Sequence, residues 1–178
     1  MDNKDAIGIL GGSFDPPHIG HIAISKISIR KFKLKKLYWV ITKKNPFKKK
    51  TFFSIRDRIT KSKLATNKYK AINVKYIDNI VKSSKTINTV KYFRLKNKGK
   101  QIYLIIGSDN LISFHKWYEW NKIIKNCQLV VFSRKGYDKK AKKSVILKFL
   151  DKKNIIFVKN KKIDISSTIM RSKHLKKQ

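Results

Sequence analysis

The chain has 178 residues, with 45 lysines and arginines against 10 aspartates and glutamates, a formal net charge of +35, and 41% hydrophobic residues. That is the size of one globular domain with enough apolar material to bury a core without disulfide or metal support. Cys127 is the single cysteine, so no internal disulfide forms, and no apolar run approaches the ~20 residues a membrane span requires. No apolar stretch follows a basic leader at the N-terminus, so the expected compartment is a reducing cytoplasm and no membrane partner is expected.

Along the chain, Ala6 to Leu10 is a short apolar run stopped by Gly11-Gly12, and Ile19, Ile22, Ala23, Ile27 and Phe32 then follow a helical period. Leu37 to Thr42 predicts a second strand and Asn45-Pro46 a turn. Ser54 predicts the cap of a helix running to about Thr66, with Asp57 at the capping-box position. Ile72 to Tyr76 predicts a third strand, and Ser84 or Thr86 the cap of a helix reaching Lys96. Ile102 to Ile106 and Leu129 to Phe132 predict strands four and five, with a helix over Tyr118 to Lys125 between them. A further helix is expected from Lys140 to Leu150, a last strand from Ile155 to Val158, and a frayed basic tail from Lys173 to Gln178. Unbroken apolar strands alternating with helices predict an open doubly wound α/β parallel sheet in a single domain over residues 1–178. Ligands in such sheets sit beyond the carboxyl ends of the strands, which directs attention to the loops after strands one and four.

The charge invites a nucleic-acid interpretation, since lysine neutralises phosphate by counterion release. Only six of the 45 basic residues are arginine, and the lysines are scattered from Lys4 to Lys177. Lys, Ile and Asn make up 77 residues, the composition of an AT-rich coding sequence. No specific nucleic-acid partner is therefore expected, although a basic surface favours anionic small substrates.

The densest chemistry is Gly11-Gly12-Ser13-Phe14-Asp15-Pro16-Pro17-His18-Ile19-Gly20-His21. Glycines allow close backbone approach to an oxyanion, and the amides opening the next helix point toward it. His18 and His21, three apart, project from nearly the same helical face and could both serve one phosphate chain. Taken alone, the pair fits a helix start with two surface histidines equally well. A metal site is the weaker interpretation, because no third ligand cluster accompanies it.

This segment resembles the signature of the bacterial nicotinate-nucleotide adenylyltransferases, members of the nucleotidyltransferase superfamily with the His-x-Gly-His motif. His-Ile-Gly-His also occurs in class I aminoacyl-tRNA synthetases, which are much longer and carry a Lys-Met-Ser-Lys-Ser segment that is missing here. A second match, Ile165-Ser166-Ser167-Thr168-Ile169-Met170-Arg171, resembles the family's Ile-Ser-Ser-Thr-x-x-Arg. A third runs from Ile106-Gly107-Ser108-Asp109 to Trp117-Tyr118-Glu119-Trp120. Ser84-Lys85-Thr86 resembles the segment in which a threonine at a helix start helps bind the nicotinate carboxylate, with Lys85 where the family often has tyrosine. Phosphopantetheine transferases usually carry threonine where His18 stands, and cytidylyltransferases carry a different second motif, so both sister activities rank lower.

The resemblance implies transfer of the adenylyl group of ATP to nicotinate mononucleotide, giving nicotinate adenine dinucleotide and pyrophosphate. It implies His18, His21 and Arg171 as catalytic groups, and Gly11, Gly12, Ser13, Phe14, Gly107, Asp109, Arg134, Ser167 and Thr168 around ATP. Lys44, Thr86 and Trp117 would face the nicotinate nucleotide, Trp117 by stacking on its ring. Mg²⁺ would arrive bound to ATP, without dedicated protein ligands. Core packing competes with a binding role for Trp117 and Trp120, whose spacing puts them on one helical face. The oligomeric state stays open, a homo-oligomer included.

Overall fold

The six apolar runs form one sheet. Its strands are β1 (Ala6–Gly12), β2 (Leu34–Ile41), β3 (Ile72–Lys75), β4 (Gln101–Gly107), β5 (Gln128–Phe132) and β6 (Ile155–Val158). They lie in the order β3-β2-β1-β4-β5-β6, with every neighbouring pair parallel. The computed structural model describes residues 5–43, 51–151 and 154–159. The Asn45-Pro46 turn and the basic tail predicted from the sequence lie outside them.

Both faces of the sheet are covered, as parallel strands require. In β5, Leu129, Val130, Val131 and Phe132 are at most 1% exposed, and alternate residues belong to opposite cores. On one face α1 (Ile19–Lys31) and α2 (Ile55–Thr66) contribute Ile22, Ile27, Ile55 and Ile59 against Leu10, Phe14, Leu37 and Trp39. On the other, α3 (Thr86–Lys96), α4 (Ser108–Ile112), α5 (Trp120–Asn126) and α6 (Asp138–Ala141) bury Ile87, Val90, Leu111, Ile123 and Ala141 against Ile7, Ile9 and Leu104. This is the open doubly wound, Rossmann-like α/β architecture.

Local capping chemistry explains the start of α2. Ser54 Oγ accepts the Asp57 backbone N–H at 3.1 Å and donates its own proton to Asp57 Oδ2 at 2.7 Å. The shorter Asp57 thus closes the box on the hydroxyl rather than on the backbone amide that a Glu reaches. In α3 the cap is Lys85, which makes no side-chain cap bond, and Thr86 is the first helical residue, so neither Ser84 nor Thr86 caps it.

The helix expected over Lys140 to Leu150 is two short pieces, α6 and a 3-10 turn at Val145–Lys148. Ala141 and Ile146 are both fully buried. Five residues apart, they would stand about 140° from each other on one α-helix, so the chain breaks to turn both inward. The region between β4 and β5 also differs from expectation: α4 and a 3-10 turn at Phe114–Lys116 precede α5. Glu119, at φ 51°, separates Trp117 from the helix that begins at Trp120, so the two tryptophans do not share a helical face.

Cys127 is 5% exposed, and burial pushes its thiol up to about 12. Since the thiolate is the reactive form, native protein is expected to resist an aromatic disulfide reagent at pH 8 and to react with one equivalent in denaturant. Absorbance of the released thiolate checks this. Among the described residues no helix is long and apolar enough to cross a membrane.

Candidate active site

The strand order reverses its direction of growth between β1 and β4, whose registers pair Leu10 with Ile105. The loops leaving Gly12 and Gly107 therefore start from neighbouring strands and diverge to opposite faces, opening a crevice between them.

The first loop is built around a buried aromatic. Phe14 is 1% exposed, adopts φ 47°, and stacks on Trp39 with ring centroids 4.8 Å apart. Its side chain belongs to the core, so what it offers a ligand is backbone. Gly11 is exposed, and a Cβ there would meet nothing within 4 Å, so open space rather than protein packing lies beside it. Asp15 is 2% exposed, and its two oxygens accept the backbone N–H groups of Phe52 and Phe53, each at 2.8 Å. That carboxylate ties the loop to the approach to α2.

His18 caps α1, and its backbone N–H donates to His21 Nδ1 at 3.1 Å. In the neutral ring this leaves the His21 proton on Nε2. The two imidazoles are in contact, tilted by 36° with centroids 3.8 Å apart, and His21 rests against Phe14 at 4.7 Å and Trp39 at 5.7 Å. Beneath them, Trp39 Nε1 donates to Ser25 Oγ at 2.8 Å, and Ser25 donates to the His21 carbonyl at 2.8 Å. The first turn of α1 holds no acidic residue, so the positive end of its dipole stays available to an anion.

Across the crevice, Asp109 Oδ2 pairs with Arg134 Nη1 at 2.5 Å, while its Oδ1 is buried without a hydrogen-bond partner among the described residues. A Cβ at Gly107 would collide with that Oδ1, which accounts for the glycine. Asp138 anchors Arg134 from below: its Oδ1 accepts the Ser108 hydroxyl at 2.8 Å and the Arg134 backbone N–H at 2.9 Å. Asp138 was invisible in the sequence, where it looks like any helix-start acid.

Farther along, Thr86 opens α3, and the Lys85 ammonium lies 3.6 Å above the Tyr118 ring. Trp117 leans on Phe114 at 5.0 Å, with its Nε1–H buried and unpartnered among the described residues. Trp120 packs against Phe149 instead, at 6.0 Å. Lys44, Ser167, Thr168 and Arg171 lie outside the described residues. So does the whole second motif.

Arg58 is the other residue the sequence did not single out. It is 1% exposed, and its guanidinium donates to the carbonyls of Ser13 and Thr42, both at 2.8 Å, Lys43 at 3.3 Å and Phe53 at 3.2 Å. Its rarity among so many lysines was the available signal, since arginine suits multiple simultaneous acceptors. Among the described residues no three His, Cys, Asp or Glu side chains gather as metal ligands.

A switch-point crevice with a glycine loop, paired histidines at a helix start and a facing Gly-x-Asp defines a nucleotide-binding transferase of the Cytidylyltransferase-like family, whose model matches residues 9–173. A "Probable nicotinate-nucleotide adenylyltransferase" of Pelagibacter ubique is 46% identical over 168 residues, 94% of this chain and 93% of the relative. A protein of the same name from Aquifex aeolicus is 37% identical over 90% of this chain and 98% of its own. The chain belongs to the nicotinate-nucleotide adenylyltransferase family. The fold matches that of Plasmodium falciparum nicotinic acid mononucleotide adenylyltransferase complexed with NaAD. There the TM-score is 0.71 at 21% identity, covering 94% of this chain and 83% of that one. The same enzyme complexed with APC matches at a TM-score of 0.72 and 19% identity, with the same coverage.

Proposed function

We propose that the protein transfers the adenylyl group of ATP to nicotinate mononucleotide, releasing pyrophosphate and forming nicotinate adenine dinucleotide, a step in making NAD. The observation that carries this is the contacting His18–His21 pair at the start of α1, which follows the Gly11-Gly12 turn at the switch point.

The mononucleotide phosphate attacks the α-phosphorus in line as pyrophosphate leaves, and no covalent enzyme intermediate is needed. The protein's work is positioning and charge neutralisation. His21 Nε2–H and His18 donate to phosphate oxygens, and the Gly12 to Phe14 backbone cradles the chain. Arg171, with Ser167 and Thr168, would hold the triphosphate from the other side. Mg²⁺ would come with ATP and would supply neutralisation of phosphate charge. Asp15 is engaged by two amides, which fits a metal carried by the nucleotide. Asp109 and Arg134 serve the adenine nucleotide, while Thr86, Lys44 and Trp117 receive the nicotinate nucleotide. The α3 amides favour its carboxylate over a neutral amide. The cytoplasm is the compartment that suits a free buried Cys127.

Incubation with Mg²⁺-ATP and, separately, nicotinate mononucleotide, nicotinamide mononucleotide and phosphopantetheine tests this by mass spectrometry. The expected result is dinucleotide plus pyrophosphate, with nicotinate mononucleotide preferred; transfer to none of the three would overturn the proposal. Gly107→Ala pushes Asp109 off Arg134 and is expected to raise the KM for ATP about tenfold, the loss of roughly one charge-assisted contact. Steady-state kinetics at saturating mononucleotide would register it.

A further inference from the structure

Four carbonyls from three separate stretches converge on Arg58. Ser13 comes from the loop after β1, Thr42 and Lys43 from the exit of β2, and Phe53 from the approach to α2. Two acids complete the arrangement. Asp15 holds the amides of Phe52 and Phe53, and Asp78, 7% exposed, accepts the Lys43 backbone N–H at 2.8 Å. Asp15 and Asp78 are the carboxylates whose charge acts on the guanidinium.

A buried ion cluster is weak support for stability, because its desolvation offsets its attraction and a well-packed apolar side chain often does as well. What an apolar side chain cannot do is orient peptide planes. The Ser13–Phe14 peptide is planar, so a Ser13 carbonyl turned inward to Arg58 turns the Phe14 N–H the opposite way, outward from the buried guanidinium. Phe14 also sits at φ 47°, a conformation that persists only where the surroundings enforce it. The Phe14 ring against Trp39 enforces one side, and Arg58 on Ser13 the other.

We propose that Arg58 is a positioning residue for adenylyl transfer, which joins the phosphate loop to the exit of β2 and aims the Phe14 amide at the phosphate chain. It touches no substrate. The proposal rests on the adenylyl-transfer function above.

The test compares wild type with Arg58→Lys, which keeps the charge but cannot reach all four carbonyls, and with the double variant Arg58→Met/Asp78→Asn, which removes the guanidinium together with one of its two facing carboxylates. Wild-type activity on ATP and nicotinate mononucleotide decides the function itself. Given that activity, folded variants are expected to lose about 100-fold in kcat, the effect of an ångström-scale misplacement, with KM for the mononucleotide within about threefold of wild type. A purely structural residue would lower the melting temperature without this split. Folded variants that keep kcat within about threefold overturn the proposal. So does failure of both variants to fold, which would make Arg58 a determinant of folding instead.

Discussion

Replacing His21 with alanine is expected to lower kcat for dinucleotide formation about 100-fold or more, while the KM for ATP moves only a few-fold. His21 is oriented from three directions. Its Nδ1 accepts the His18 backbone N–H, its ring rests on Phe14, and its carbonyl accepts from Ser25. On the proposed mechanism Nε2–H is the donor that meets the charge growing as pyrophosphate departs, from a ring already held in place. A donor used mainly in the transition state affects turnover more than ground-state binding. Initial rates of pyrophosphate release at saturating ATP give the number. Near-normal turnover in a folded His21→Ala protein would remove His21 from the mechanism.

Trp39→Ala is expected to destabilise the fold by ~3–5 kcal/mol, the usual range for deleting a fully buried large aromatic. Trp39 is 0% exposed, stacks on Phe14, and donates to a fully buried Ser25 hydroxyl that in turn holds the His21 carbonyl. For a domain of this size the melting temperature should fall by roughly 6–20 °C. Thermal unfolding followed by circular dichroism measures it. A shift of only 1–2 °C would mean that the core beneath the histidines repacks easily. The two experiments separate chemistry from support, because Trp39 touches the imidazole without facing the crevice.

What the sequence revealed depended on whether the cause was local. The strand Ile155–Val158 and the Ser54 cap of α2 were readable to the residue, since an apolar run and a hydroxyl before a helix act through near neighbours. The glycine loop and paired histidines were readable for the same reason. The break after Ala141 was not, because it follows from two buried side chains that must face one core, a constraint set by the tertiary fold. Arg58 was hidden more deeply. Its acceptor Ser13 is 45 residues away, and a carbonyl leaves no mark on residue type. Asp138 was hidden likewise, with its Ser108 partner 30 residues upstream.

The Arg58 and Asp15 contacts have an evolutionary corollary. Thr42 and Lys43 are held on one side, and Phe52 and Phe53 on the other, by groups that lie outside the stretch joining them. Substitutions in that stretch therefore remove none of the groups that hold the two anchor points. The sequence between the anchors can thus diversify among descendants while the loop carrying Ser13 and Phe14 stays in register.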